Sequence, residues 1–236
     1  KLCSGWYGAT LLNNSVKDEI LKIQNQIDLF KSCKAPCIVF CEISGSIQGK
    51  AKTPLSKRPI LNNNEWKNFY SKINEISKYM EDSEMPLAYH HHMGTVVQSQ
   101  EDTIRLIENT SDSVKLLIDT GHMMFAGGDS NKLVKDYIDR LHHVHCKDIR
   151  KDVLKKVLSM DLSFIDAFFA GTFTVPGDGC INYKTFLSLL KTLDYKGWIV
   201  VEAEQDPKKA NPLEYGKIGF NHLKKLALDC GFEITR

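Results

Sequence analysis

No apolar stretch in the 236-residue sequence approaches the length of a membrane span. The longest unbroken run, 35–41, has seven residues and includes Pro36. The segment after Lys1 is mixed rather than apolar, so no signal peptide is expected. Charge of one sign is also scarce. Lys plus Arg is 31 against 29 for Asp plus Glu, which offers little for a phosphate backbone and argues against a dedicated nucleic-acid binder. There is no CxxC pair, and the seven cysteines are odd in number, so they read as free thiols of a cytoplasmic protein. Cys33, Cys37 and Cys41 are four apart, but Pro36 interrupts a shared helix face, and plain thiols are the better reading than a metal site. No GxGxxG follows a strand-like run, which weakens a dinucleotide site. Internal repeats and low-complexity stretches are lacking too.

What remains is ordinary globular material, 42% hydrophobic and 25% charged, enough for one large core. Short apolar runs at 3–10, 37–44, 86–92, 114–120, 141–148 and 197–204 read as strands. Amphipathic segments at 14–31, 65–80, 100–110, 132–140, 183–193 and 212–229 read as helices. In the second, Trp66, Phe69, Ile73, Ile76 and Met80 recur at spacings of three and four. Strand and helix in alternation predict a parallel α/β sheet. A (β/α)₈ barrel needs eight strands, so six imply an open doubly wound sheet or a partial barrel.

The polar residues cluster where strands end. Glu42, His90 to His92, Asp119 to His122, His142 to Asp148, and Glu202 to Glu204 all lie at the ends of apolar runs, and seven of the eight histidines fall between 90 and 145. Taken singly, each has a bland explanation. A lone His pairs with a loop, an Asp before Thr-Gly forms a turn, a terminal Glu is solvated. Successive apolar strands ending this way would bury charges without partners unless the charges serve one another. Side chains alternate along a strand, so His90 and His92 share a face, as do His143, His145 and Lys147, and Glu202 and Glu204. If these faces point into a barrel, imidazole and carboxylate converge at its mouth. That ligand set suits Mn²⁺, Co²⁺, Fe²⁺ or Zn²⁺. His91 and His142 fall out of phase and read as structural; His222 reads as solvated. Ala203, between the two glutamates, is expected against the outer helices.

The strings His90-His91-His92-Met93-Gly94-Thr95, Asp119-Thr120-Gly121-His122, Gly127-Gly128-Asp129, His143-Val144-His145-Cys146-Lys147-Asp148, Phe173-Thr174-Val175-Pro176-Gly177-Asp178-Gly179 and Val201-Glu202-Ala203-Glu204-Gln205-Asp206-Pro207 occur in the order seen in inosose dehydratases. Glu42 with Gly45-Ser46-Ile47-Gln48-Gly49 fits the same pattern, and the resemblance spans about residues 1–228. It implies a single xylose-isomerase-like TIM barrel domain over residues 1–236, with six of eight strands present and the first two βα units lying outside the sequence. It also implies a divalent metal (manganese or cobalt), dehydration of 2-keto-myo-inositol in inositol catabolism, and glutathione, for which the residues themselves supply no argument. The metal set it implies is His90, Asp119, His145 and Glu202, with ligand atoms within about 4 Å of one another. Catalytic roles fall to Glu202 as base, Glu204 as partner acid or hydroxyl ligand, His122 on a substrate oxygen, and Lys147 on the enolate oxygen. Glu42, Gln48, His92 and Arg150 are expected to bind the polyol, while the Pro176–Gly179 turn reads as structural.

Related sugar isomerases and epimerases carry a glutamate where this sequence has His90, which favours elimination over epimerisation. An epimerase of the same barrel type, a non-catalytic barrel fragment and pairing into a homo-oligomer stay open.

Overall fold

Six strands form one parallel sheet in the computed structural model, which describes residues 1–235. They are β1 (Trp6–Ala9), β2 (Ile38–Glu42), β3 (Leu87–His90), β4 (Lys115–Asp119), β5 (Leu141–Cys146) and, after an excursion, β8 (Ile199–Val201). Their spatial order follows the chain, with β1 and β8 at the two edges, so the sheet is curved barrel material but is not closed. Every pairing within it is parallel.

The helices decide between the two expected architectures. They are α1 (Val16–Ser32), α2 (Asn63–Asp82), α3 (Gln100–Glu108), α4 (Thr120–Phe125), α5 (Ser130–Tyr137), α6 (Lys151–Ser159), α7 (Phe164–Ala170), α8 (Tyr183–Thr192) and α9 (Pro212–Asp229). The apolar stripe of α2 packs with Ile38, Phe40, Leu87 and Tyr89. Residues of α5, α8 and α9 pack with Leu116, Ile118, Val144, Cys146, Ile199 and Val201. The alternate positions Cys37, Val39, Ala88 and Leu117 form a separate small cluster on the other face. A doubly wound sheet carries helices on both faces; here the second face is the inside of a barrel.

Local chemistry sets the helix starts. The side chains of Ser15, Asn62, Ser99, Ser163 and Asn211 each accept backbone amides of the first turn, and Asn62 and Ser99 complete capping boxes with Glu65 and Asp102. Several elements have no counterpart in the sequence reading. α6 and α7 fill 151–170, and β6 (Asp148–Ile149) pairs antiparallel with β7 (Phe173–Thr174). The last strand stops at Val201, so Glu202 to Glu204 lie just beyond it.

Candidate metal centre

The C-terminal ends of β3, β4, β5 and β8 bring four ligand-type side chains to one point. His90, Asp119, His145 and Glu202 each offer an atom, and the four atoms lie within 4.8 Å of one another. A four-coordinate ion asks for about 4 Å; opposite ligands of a six-coordinate ion with bonds near 2.2 Å stand about 4.4 Å apart. Asp119 Oδ2 is 3.7 Å from both His90 Nε2 and His145 Nδ1, and His145 Nδ1 is 2.7 Å from Glu202 Oε2. In-phase strand pairing explains the convergence, since Asp119 sits directly beside His145 in the β4–β5 register.

Neighbouring groups aim these ligands. His90 Nδ1–H donates to the His91 carbonyl at 2.6 Å, which leaves the Nε2 lone pair for the centre. Asp119 divides its work. Oδ1 accepts the His122 amide at 2.8 Å and caps α4, while Oδ2 faces the centre. Asp119 Oδ2, His145 Nδ1 and Glu202 Oε2 are buried and have no aligned hydrogen-bond partner. Buried polar atoms are normally paired, and three such atoms around one point are what a cation would satisfy. The residues therefore fit a divalent ion.

Burial pulls the His145 imidazolium down, but Glu202 and Asp119 outweigh it and push the group up to about 9 in the absence of an ion. Burial and the surrounding imidazoles keep His90 neutral. Burial opposes the Glu202 charge, yet Lys147 and His145 hold it well below the usual carboxylate range.

A second tier adjoins the first. Lys147 is fully buried, with Nζ 2.8 Å from Glu204 Oε2, 2.9 Å from His122 Nε2, 3.2 Å from Glu202 Oε1 and 3.4 Å from Asp119 Oδ2. Glu204 also lies 3.2 Å from His122 and 3.8 Å from His92. Lys147 and the imidazoles overcome burial and keep Glu204 ionised. The glycine of Asp119-Thr120-Gly121-His122 makes this possible. A Cβ on Gly121 would stand 2.8 Å from Lys147 Cγ and 2.9 Å from the Lys147 carbonyl oxygen.

Over these groups lies a cavity of about 500 Å³. Gln48, His90, His92, His145, Glu202 and Glu204 line it, and Gln48 Oε1 is buried without a partner. His122 and Lys147 stand behind Glu204 rather than at the wall, so direct substrate contact by either is not what the geometry provides. Glu42 is also misplaced by the sequence reading. It is in phase with Ile38 and Phe40, which face the helices, and its oxygens accept the amides of Leu11 and Ser44 at 2.7 and 2.8 Å. Arg150 is bound to the Gly171 and Phe173 carbonyls, Thr174 and Asp178, tying the β6–β7 excursion together away from the cavity. Ala203 is exposed instead of packed on the helices, because the strand has already ended. Trp6 and Phe164 are among the cavity residues that escaped the sequence reading, whereas His143 was placed on the inward face by it. Trp6 and His143 lie on inner-phase strand positions; Phe164 opens α7, which no strand pattern marks. His91 is structural, accepting the Asp119 amide at 3.3 Å.

The xylose isomerase-like TIM barrel family matches residues 4–226. The chain belongs to this family. Among curated relatives, it is 40% identical over 235 residues to the rhizopine catabolism protein MocC of Rhizobium meliloti, covering all of this chain and 72% of the relative. It is 42% identical over 217 residues to an inosose dehydratase of Clostridium tetani, covering 91% of this chain and 73% of that one. Solved members of the fold include the IolI protein with a bound zinc atom, at TM-score 0.63 and 17% identity over 96% of this chain and 74% of that one. An L-ribulose 3-epimerase superposes at TM-score 0.66 with 13% identity, covering 96% and 75% of the two chains. At such identities these structures speak for the fold.

Proposed function

We propose that the protein is a metal-dependent hydro-lyase that dehydrates 2-keto-myo-inositol to a trihydroxycyclohexane-dione in inositol catabolism. The observation that carries the proposal is the four-ligand centre with its three orphaned buried atoms, lying beneath a cavity whose wall includes a second ionised glutamate. The close inosose dehydratase relatives support the choice of substrate. Manganese or cobalt is the proposed ion, held by His90, Asp119, His145 and Glu202. Glutathione rests on the family resemblance alone, and no step is assigned to it. A cytoplasmic setting is proposed from the seven cysteines, all free. No helix among the described residues is long and apolar enough to cross a membrane.

When bound, the ion polarises the substrate ketone and stabilises the charge that develops on its oxygen. Glu202, ionised at the cavity wall, takes the proton next to the ketone through Oε1, the oxygen turned to Lys147 rather than to His145. Glu204 faces the ring two residues on. Because Lys147 and His122 hold it ionised, it enters the reaction as an acceptor of ring hydroxyls rather than as a resting acid. The departing hydroxyl leaves as water with the proton that Glu202 has taken, and His92, at the cavity wall with Nε2 beside Glu204, accepts a hydrogen bond from a neighbouring ring hydroxyl. Gln48 offers its unpaired oxygen to another hydroxyl. Lys147 and His122 are positioning residues that act through Glu204.

The test is metal analysis of purified protein together with turnover of 2-keto-myo-inositol, followed by the near-ultraviolet absorbance of the enedione product. A stereoisomer as product would assign the site to an epimerase, and turnover undiminished after complete metal removal would refute the proposal.

A further inference from the structure

Beside the proposed ion site stands a second set of ligand-type atoms. One atom from each of His92, His122 and Glu204 lies within 4.8 Å of the other two. Hydrogen bonds turn their lone pairs inward. His92 Nδ1–H donates to the Met93 carbonyl at 2.9 Å, which leaves Nε2 unprotonated. Lys147 Nζ is 2.9 Å from His122 Nε2. An ammonium has donors and no lone pair, so this contact requires an unprotonated Nε2 and places the ring proton on Nδ1. The Met93 amide, 3.4 Å from Nδ1, asks for the opposite tautomer. The shorter, charge-assisted contact is the stronger one and decides the matter. His122 Nε2 and Glu204 Oε2 therefore both direct lone pairs at Nζ, as they would at a metal ion.

Charge agrees with this arrangement. Asp119, Glu202 and Glu204 surround Nζ within 3.4 Å and carry three negative charges. One divalent ion and one ammonium neutralise them. Buried charge left over is costly, so a second divalent ion beside the ammonium is disfavoured; without the ammonium a single ion leaves one negative charge unbalanced, whereas two ions together with one hydroxide from a bound water balance all three. Two imidazoles and a carboxylate are a ligand set for Mn²⁺, Co²⁺ or Zn²⁺ once the ammonium is gone.

We propose that His92, His122 and Glu204 form a second cation site that the Lys147 ammonium, held by His122 and Glu204, keeps closed to metal, so that the protein binds one divalent ion and takes a second when the ammonium is removed. This rests on the reading of His90, Asp119, His145 and Glu202 as the first site.

The experiment compares wild type with Lys147→Met, each loaded with Mn²⁺ and freed of excess. Elemental analysis gives ions per chain, and electron paramagnetic resonance reports whether ions are spin-coupled neighbours. Wild type should hold one uncoupled ion. Lys147→Met should hold two coupled ions, a doubling, and adding Glu204→Gln should return it to one. Lys147→Gln repeats the measurement if Lys147→Met does not fold; should neither fold alone, protein refolded in Mn²⁺ is analysed the same way. One ion in wild type and one in the Lys147 variants overturns the inference and leaves the first site standing. Two ions in wild type also overturn it, because the lysine would then not exclude the metal. No ion in wild type overturns the reading of the first site, and the inference with it.

Discussion

Exchanging each of the two cavity glutamates for glutamine separates metal binding from the binding of ring hydroxyls. Glu204→Gln keeps the shape but removes a charge 2.8 Å from Lys147 and 3.2 Å from His122. Removing one partner of a buried pair costs about 3–5 kcal/mol. Here Lys147 keeps Glu202 at 3.2 Å and Asp119 at 3.4 Å, and the Glu204 side chain is 26% exposed. The expected loss is therefore smaller, about 1–2 kcal/mol, or about 2–8 °C in Tm for a chain of this size. Glu204 is not one of the four converging ligands, so metal content should stay near the wild-type level. Turnover should fall by about 10–10²-fold, the worth of a hydrogen bond from a ring hydroxyl to a charged acceptor. Glu202→Gln should behave differently. It removes an anionic ligand whose oxygen stands 2.7 Å from His145, so metal and dehydration should be lost together. Metal content of desalted protein, Tm and the near-ultraviolet assay are measured on both variants. Full activity in metal-bound Glu204→Gln would remove Glu204 from the mechanism. Loss of metal in Glu204→Gln, with metal retained in Glu202→Gln, would show the two assignments to be reversed.

Gly121→Ala should destabilise the protein by about 1–3 kcal/mol, as overpacking does, because the new Cβ meets both the Lys147 side chain and its carbonyl oxygen at 2.9 Å or less. An unchanged Tm with unchanged turnover would show that this close approach has no consequence. Glu19 tests the acid limb of stability. Burial opposes its charge, but Tyr7 at 2.7 Å, the Thr10 amide at 3.1 Å and Lys22 prevail and lower its carboxyl below the ordinary value. A lowered folded value contributes stability above the unfolded value, about 4.3, and the contribution is lost as pH falls through the folded one. Glu19→Gln should thus cost about 1–2 kcal/mol at pH 7 and much less near pH 3, read by urea unfolding. Equal losses at both pH values would refute the linkage.

Much of the parallel sheet was legible before any coordinates, because apolar runs and three-four spacing are local signals. The capping side chains of Ser15, Asn62, Ser99 and Asn211 punctuate the chain where the helices begin. Period two by itself placed His90 with His92, and Glu202 with Glu204, on common faces. Of the elements that escaped, α7 and the two-residue β6 and β7 are too short to leave a periodic pattern, whereas α6 is as long as α3 and carries Leu154 and Val157 at helical spacing, a signal the sequence reading passed over.

What one-dimensional pattern could not decide was which phase of a strand buried on both sides faces inward. β2 is buried along its whole length, so Glu42 looks as eligible for the cavity as His90 until the helices are seen to cover its side. Nor could spacing reveal that Arg150 is spent on backbone carbonyls of a segment more than twenty residues further along the chain. Strand chemistry and alternation thus determined which side chains were available at the sheet's C-terminal end. Only tertiary packing decided which lone pairs meet and where the Lys147 ammonium sits, because those depend on angstrom-scale distances between strands that the sequence keeps far apart.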